Sequence, residues 1–183
     1  MVKVIAGFKP FLNYKRNSTE EFLKKIPDSN NIKKVILPVW YSKHAILRPI
    51  KKYNPSTYII LGMWQGNHIK TETVAKNEYL TFKNPFMRLF IRILSLFRIN
   101  YKTDKKIPKN KLITFPIDKN KRKEIKIKPV KGIKTSKDAG NFVCNYAIWV
   151  VRQYKPKTNF HFIHVPENMN KTQEKRLLKI ILS

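Results

Sequence analysis

Four short runs of β-branched and aromatic residues, each bounded by turn formers, restrict this chain's fold more than any other feature. They are "VKVIAGF" (2–8), "KKVILPVW" (33–40), "STYIILGMW" (56–64) and "NFHFIHVP" (159–166). Apolar runs of this length read as buried strands. Between and around them lie helix-like stretches. "STEEFLKKI" begins with Ser18 as a cap and Glu21 as the partner of a capping box. "SKHAILRPIKKY" (42–53) is a second helix, with Pro49 a kink or an early stop. "NFVCNYAIWVVRQY" (141–154) and "TQEKRLLKIIL" (172–182) are two more. Strands alternating with helices predict an α/β fold with a mostly parallel sheet covered on both faces.

The 183 residues suit one domain spanning 1–183. Its least regular part runs through 78–111. There "NPFMRLFIRILSLFRI" (84–99) offers Asn84 as a cap and Pro85 at the first helical position. The helix would be apolar almost all round, which suits a core or subunit contact better than the alternative of lying on an anionic membrane surface; at about fifteen residues it is too short and too basic to span a bilayer. "NYKTDKKIPKNK" (100–111) reads as a solvated loop.

Charge is the outstanding compositional feature: 39 Lys and Arg against 11 Asp and Glu give +28. Such a field attracts nucleic acid, anionic membrane surfaces or acidic proteins. The lysines are nevertheless spread along the whole chain, and no nucleic-acid-binding motif accompanies them. A lysine-coated surface is the simpler reading. One cysteine rules out an intrachain disulfide and fits a reducing, cytoplasmic setting. The N-terminal "MVKVIAGFKP" has no signal-peptide pattern, and no run is long and apolar enough for a transmembrane helix.

The chemistry-bearing residues are few. His161 and His164 stand three apart on an expected strand, so they face opposite ways and cannot chelate one ion together. With His44, His68 and a single cysteine elsewhere, no metal site is expected, and no Gly-rich phosphate loop is present. Cys144 lies in the first turn of an expected helix. The macrodipole and free N–H groups there favour a thiolate and could hold an oxyanion. His164 lies at the carboxyl end of its strand, where ligands gather in open parallel sheets. Glu72 and Glu167 are the best-placed acids to orient it. The residues alone leave two readings open, because a free cysteine is commonly a small buried hydrophobe.

Several segments, in order, resemble the pyroglutamyl peptidase I family of cysteine peptidases. "GFKPF" (7–11) with Asn17 is similar to the family's N-terminal segment, and "ILPVWYSKHAIL" (36–47) to its Leu-Pro-Val strand and helix. "GMWQG" with "ETVAKN" (72–77) matches its Gly-rich loop and the Glu-x-Val-Ala-x-Asn that follows. "AGNFVCN" (139–145) and "FIHVP" (162–166) are similar to the nucleophile and histidine motifs and are the most specific. The resemblance covers about two-thirds of the chain. It implies a three-layer α/β/α sandwich of the phosphorylase/hydrolase-like kind. The implied activity is hydrolysis of N-terminal pyroglutamyl residues from blocked peptides through an acyl-enzyme, without a cofactor, in a dimer or tetramer. Cys144 would be the nucleophile, His164 the general base and then acid, and Glu72 its supporting acid. Phe8 and Phe11 would bracket the flat pyroglutamyl ring, with Asn17 and Met63 also in the substrate site.

The chain also departs from the family. Leu12-Asn13 stands where a Gly-Gly pair is usual, and Met63 occupies a substrate-loop position. The loop to Glu72 is one residue shorter. The loop carrying an arginine near the nucleophile is absent, with Phe82 or Lys83 about where that arginine would stand. These departures give an alternative reading: a weakly active or inactive relative serving as a basic binding module for nucleic acid or acidic partners.

Overall fold

The computed structural model describes residues 1–10, 15–87, 89–90 and 112–183. Its central sheet is ordered β2-β1-β3-β10-β4-β9. The four expected strands form its parallel part: β1 (Lys3–Phe8), β2 (Ile32–Leu37), β3 (Thr57–Trp64) and β10 (Asn159–Pro166). β3 and β10 run in register from Thr57↔Asn159 to Trp64↔Pro166. The short β4 (Lys70–Glu72) then joins antiparallel to β10, placing Lys70 opposite His164. β9 (Lys134–Ser136) closes this edge by pairing parallel to β4. Two small antiparallel pairs lie apart from the main sheet. They are β5 (Val74–Lys76) with β8 (Glu124–Lys126), and β6 (Tyr79–Phe82) with β7 (Leu112–Phe115).

Strand alternation sorts the core into two layers. Val4, Ala6 and Phe8, Tyr58 and Ile60, and Phe160 and Phe162 face helices α2 (Lys43–Tyr53) and α3 (Val143–Tyr154). Ile5, Ile59, Leu61, Ile163 and Val165 face α1 (Ser18–Lys25) and α4 (Lys171–Leu182). α3 is the most deeply set helix, with Ala147 to Val151 almost wholly enclosed. The result is the expected α/β/α sandwich.

Several local expectations need correction. The cap of α1 is Asn17, not Ser18: Asn17 has extended backbone and its Oδ1 accepts from the Thr19 N–H at 3.0 Å. Asn17 Nδ2 also donates to the Lys9 carbonyl, closing the loop between β1 and α1. β2 ends at Leu37, before Pro38, because proline cannot donate to the ladder. Pro49 neither stops nor shortens α2, which continues to Tyr53. α4 has a capping box of its own, built from Asn170 and Gln173. Asn84 behaves as expected, accepting from the Phe86 and Met87 N–H groups, and 85–87 and 89–90 are helical. The remainder of the proposed 84–99 helix, the 100–111 loop and residues 11–14 lie outside the described residues. No helix among the described residues is long and apolar enough to cross a membrane.

Candidate active site

β4 is the element that assembles the site. Because it pairs antiparallel with β10, its alternate residues Lys70 and Glu72 flank His164 at the carboxyl end of the parallel strands. His164 Nδ1 and Glu72 Oε1 are 2.6 Å apart, with Glu72 fully buried and His164 nearly so. Glu167, the other acid suggested by sequence, is exposed beyond β10. His161 faces the opposite layer, as expected, in a groove with Ile163, Ile180 and Ile181. Among the described residues, no three His, Cys, Asp or Glu side chains form a potential metal site.

Cys144 comes to this histidine from the layer above. Its sulfur lies over Gly62, the residue paired in register with His164. A Cβ on Gly62 would stand 3.0 Å from Sγ and 2.7 Å from Phe162 Cζ. Glycine therefore lets the nucleophile candidate settle onto the strand backbone. Gly62→Ala should displace either the thiol or the Phe162 ring. Overpacking of this kind costs about 1–3 kcal/mol, so thermal melting should register a loss and thiol alkylation an altered rate.

The start of α3 is held from the side. Asn145, buried beside Cys144, donates through Nδ2 to the carbonyls of Lys76 and Glu78 and accepts from the Lys76 N–H, at 2.7–2.8 Å. These bonds fasten the first turn of α3 to β5 and the residues after it. The cap residue Phe142 makes no side-chain capping bond, so its side chain does not occupy the N–H groups of the first turn.

The electrostatics differ from a helix-start thiol considered alone. Burial pushes the Cys144 thiol up to about 12, and the negative charge of Glu72 adds to this; nearby Lys70 opposes it. Enclosure therefore outweighs the expected pull toward thiolate. Burial also holds His164 below the ordinary imidazole value, against the opposing influence of Glu72. Burial alone would raise Glu72, but its hydrogen bond and charge interaction with His164, helped by Lys70 and Ser136, hold it below the usual carboxylate value. These directions favour thiol, neutral imidazole and carboxylate as the resting arrangement at neutral pH.

These shifts predict a pH range of stability. His164 and Glu72 have depressed folded values, so their contributions are present above their unfolded values and are lost as pH falls. The loss should begin below the ordinary imidazole value of 6.5. Cys144 has a raised value, so its contribution is present below its unfolded value of 9.0 and declines as pH rises toward about 12. Melting temperature against pH should be highest between these limits. His164→Gln should flatten the first step of the acid side.

The substrate residues suggested by resemblance are distributed less compactly. Phe8, only 2 % exposed, belongs to the apolar cluster against which Cys144 packs. Asn17 is engaged in capping α1 and closing its loop. Met63 follows the alternation of β3 onto the face of Ile59 and Leu61, away from the Gly62 face. Phe11 lies outside the described residues. Sequence reasoning missed Lys70 and Asn145. Asn145 had a readable signal, as a polar residue inside the apolar "VCNYAIWVV", whereas Lys70 was one of many lysines.

The comparisons agree with this architecture. The fold is similar to that of a mutant pyrrolidone carboxyl peptidase from Pyrococcus furiosus, with TM-score 0.70 and 16% identity, covering 100% of this chain and 96% of that one. A pyrrolidone carboxyl peptidase from Thermococcus litoralis gives TM-score 0.64 and 20% identity, over 94% of this chain and 79% of that one. No curated protein matches the sequence. The family model for pyroglutamyl peptidase matches residues 1–178, nearly the whole length, and the chain therefore belongs to the pyroglutamyl peptidase family of cysteine peptidases.

Proposed function

We propose that this member of the family removes N-terminal pyroglutamyl residues from blocked peptides, with Cys144, His164 and Glu72 as its catalytic machinery. The observation that carries the assignment is the 2.6 Å His164–Glu72 contact beneath a thiol seated on Gly62. With Nδ1–H donated to Glu72, the imidazole has the tautomer that leaves Nε2 to accept a proton. Nε2 takes the proton of the Cys144 thiol as sulfur attacks the pyroglutamyl carbonyl. The imidazolium, stabilised by Glu72, then protonates the leaving amine. In the second half His164 deprotonates a water, which attacks the thioester; the Cys144 thiolate leaves, pyroglutamate is released, and the imidazolium returns the proton to the sulfur. The first-turn N–H groups of α3 are suited to the oxyanion. A neutral thiol at rest makes this general-base catalysis rather than attack by a preformed thiolate. It also suits a reducing compartment such as the cytoplasm, where a nucleophilic thiol stays free.

Phe8 supplies an apolar wall in the Cys144 layer, and Phe11 is read as its counterpart across the ring. The assay is release of a fluorophore from pyroglutamyl amide, against a panel of free and otherwise blocked amino-acyl amides. Selective turnover of the pyroglutamyl compound supports the reading, and no turnover by folded protein contradicts it.

Subunit contact is the second part of the reading. Phe86 and Leu89, 79 % and 56 % exposed, put apolar surface on the segment after β6. A second copy of the chain would cover it. Sedimentation should show a wild-type oligomer dissociated by Phe86→Asp; a monomeric wild type ends this part of the proposal.

A further inference from the structure

Lys70 is a half-buried cation that the reaction scheme above leaves without a role. Its ammonium lies 3.0 Å from Glu72 Oε1, the same oxygen that His164 Nδ1 approaches at 2.6 Å. It also donates to Ser136 Oγ at 3.2 Å and to the Asp138 carbonyl at 3.3 Å, and lies 4.4 Å from the centre of the Trp64 ring. Only 13 % of its side chain is exposed. A lysine usually keeps its ammonium in water, so four partners fixing it inside the protein call for a function.

The register supplies one. Lys70 stands directly opposite His164 across the β10–β4 ladder, on the same face, with Glu72 two residues on. Two donors therefore converge on one oxygen of a fully buried carboxylate, whose Oε2 has no hydrogen-bond partner among the described residues. A carboxylate in that position needs a counter-charge to remain ionised. His164 does most to lower Glu72, but the charge part of its effect is absent while the imidazole is neutral and able to act as a base, which leaves that counter-charge to Lys70.

We propose that Lys70 is a positioning residue for the peptidase reaction: it holds Glu72 ionised and aimed at His164, and keeps the imidazole neutral and ready to accept a proton. The proposal rests on the peptidase reading for its effect on turnover, but its electrostatic content stands without it. The charged and titratable groups around His164 are Glu72 and Lys70 on β4, Cys144 on α3, and Asp138 in the loop before α3. Lys70 favours the neutral imidazole and the thiolate, whereas Glu72 favours the imidazolium and the thiol. Lys70 also provides a positive charge near the nucleophile.

The test compares Lys70→Met, Lys70→Gln and Lys70→Arg with wild type, each checked for folding by circular dichroism. Without the ammonium, His164 protonates more readily. The acid limb of kcat/KM against pH should therefore move upward by about 0.5–1 pH unit in the neutral variants. Lys70→Arg should return it toward the wild-type position. Cys144 alkylation by iodoacetamide, at fixed pH near 8, should slow in the neutral variants and recover with arginine. Folded neutral variants with a wild-type limb and alkylation rate overturn the proposal, as does an arginine variant that behaves like the neutral ones. Should the wild type release no fluorophore, the peptidase reading fails. The alkylation comparison, which needs no turnover, would still decide the role of Lys70.

Discussion

Cys144→Ala should abolish fluorophore release from a pyroglutamyl amide, and His164→Ala should slow it by about 10²–10⁴-fold. The two losses arise differently. Without Cys144 no acyl-enzyme can form. Without His164 the thiol, pushed up to about 12, has no nearby base, and only a trace of thiolate exists at neutral pH. The His164→Ala variant should therefore regain rate as pH rises, because hydroxide replaces the missing base. Cys144→Ala should not. Measuring kcat/KM for both variants from pH 6 to pH 10, a range chosen about the ordinary histidine and cysteine values, checks both statements. Equal pH dependence in the two variants would contradict them.

Glu72→Gln should cost nearly as much, about 10²–10⁴-fold in kcat, with little change in KM. The glutamine fits the same buried space. Its amide, however, can turn its NH₂ toward His164 Nδ1, selecting the tautomer whose Nε2 carries a proton and cannot accept one. It also removes the negative charge that stabilises the imidazolium. Loss of that charge should depress the His164 pKa further and ease ionisation of Cys144, since Glu72 opposes the thiolate. Alkylation of Cys144 should then become faster while turnover falls. A simple loss of folding would not produce that opposed pair of changes. Parallel measurement of alkylation and kcat distinguishes them.

The parallel part of the sheet was legible because β1, β3 and β10 carry long apolar runs that are mostly buried, while the edge strand β2 keeps the β-branched and aliphatic character of its run. Residues 3–8, 32–37, 57–64 and 159–166 differ from expectation only at their ends. β4 and β9 were not legible: "KTE" and "KTS" are three residues each, largely polar, and paired with segments more than sixty positions away. The β5–β8 pair, of three residues a strand, and the β6–β7 pair, of four, likewise join segments far apart in the sequence. Adjacent polar residues also blurred the start of α1, where Asn17 and Ser18 were both chemically suited to cap and only backbone geometry selects Asn17.

The same distinction applies to the site. Cys144, His164 and Glu72 stand out as rare residue types in specific motifs. Lys70 did not, because sequence cannot tell a lysine beside a buried carboxylate from one in solvent. The thiol's environment was hidden for a related reason. The helix start was visible in "AGNFVCN", but the enclosure by Gly62 and Phe162 comes from strands elsewhere in the chain. Burial and the charge of Glu72 then reverse the shift that the helix terminus alone would give.

The proposed function rests on attack by Cys144 on a pyroglutamyl acyl group. The most direct test is a pyroglutamyl chloromethyl ketone, followed by mass spectrometry of the digested protein, with the glutaminyl chloromethyl ketone as control. The expected result is one adduct, on Cys144, formed much faster by the pyroglutamyl reagent and competed away by pyroglutamyl peptide. Equal slow labelling by both reagents, or a pyroglutamyl adduct elsewhere with Cys144 unmodified, would contradict the claim.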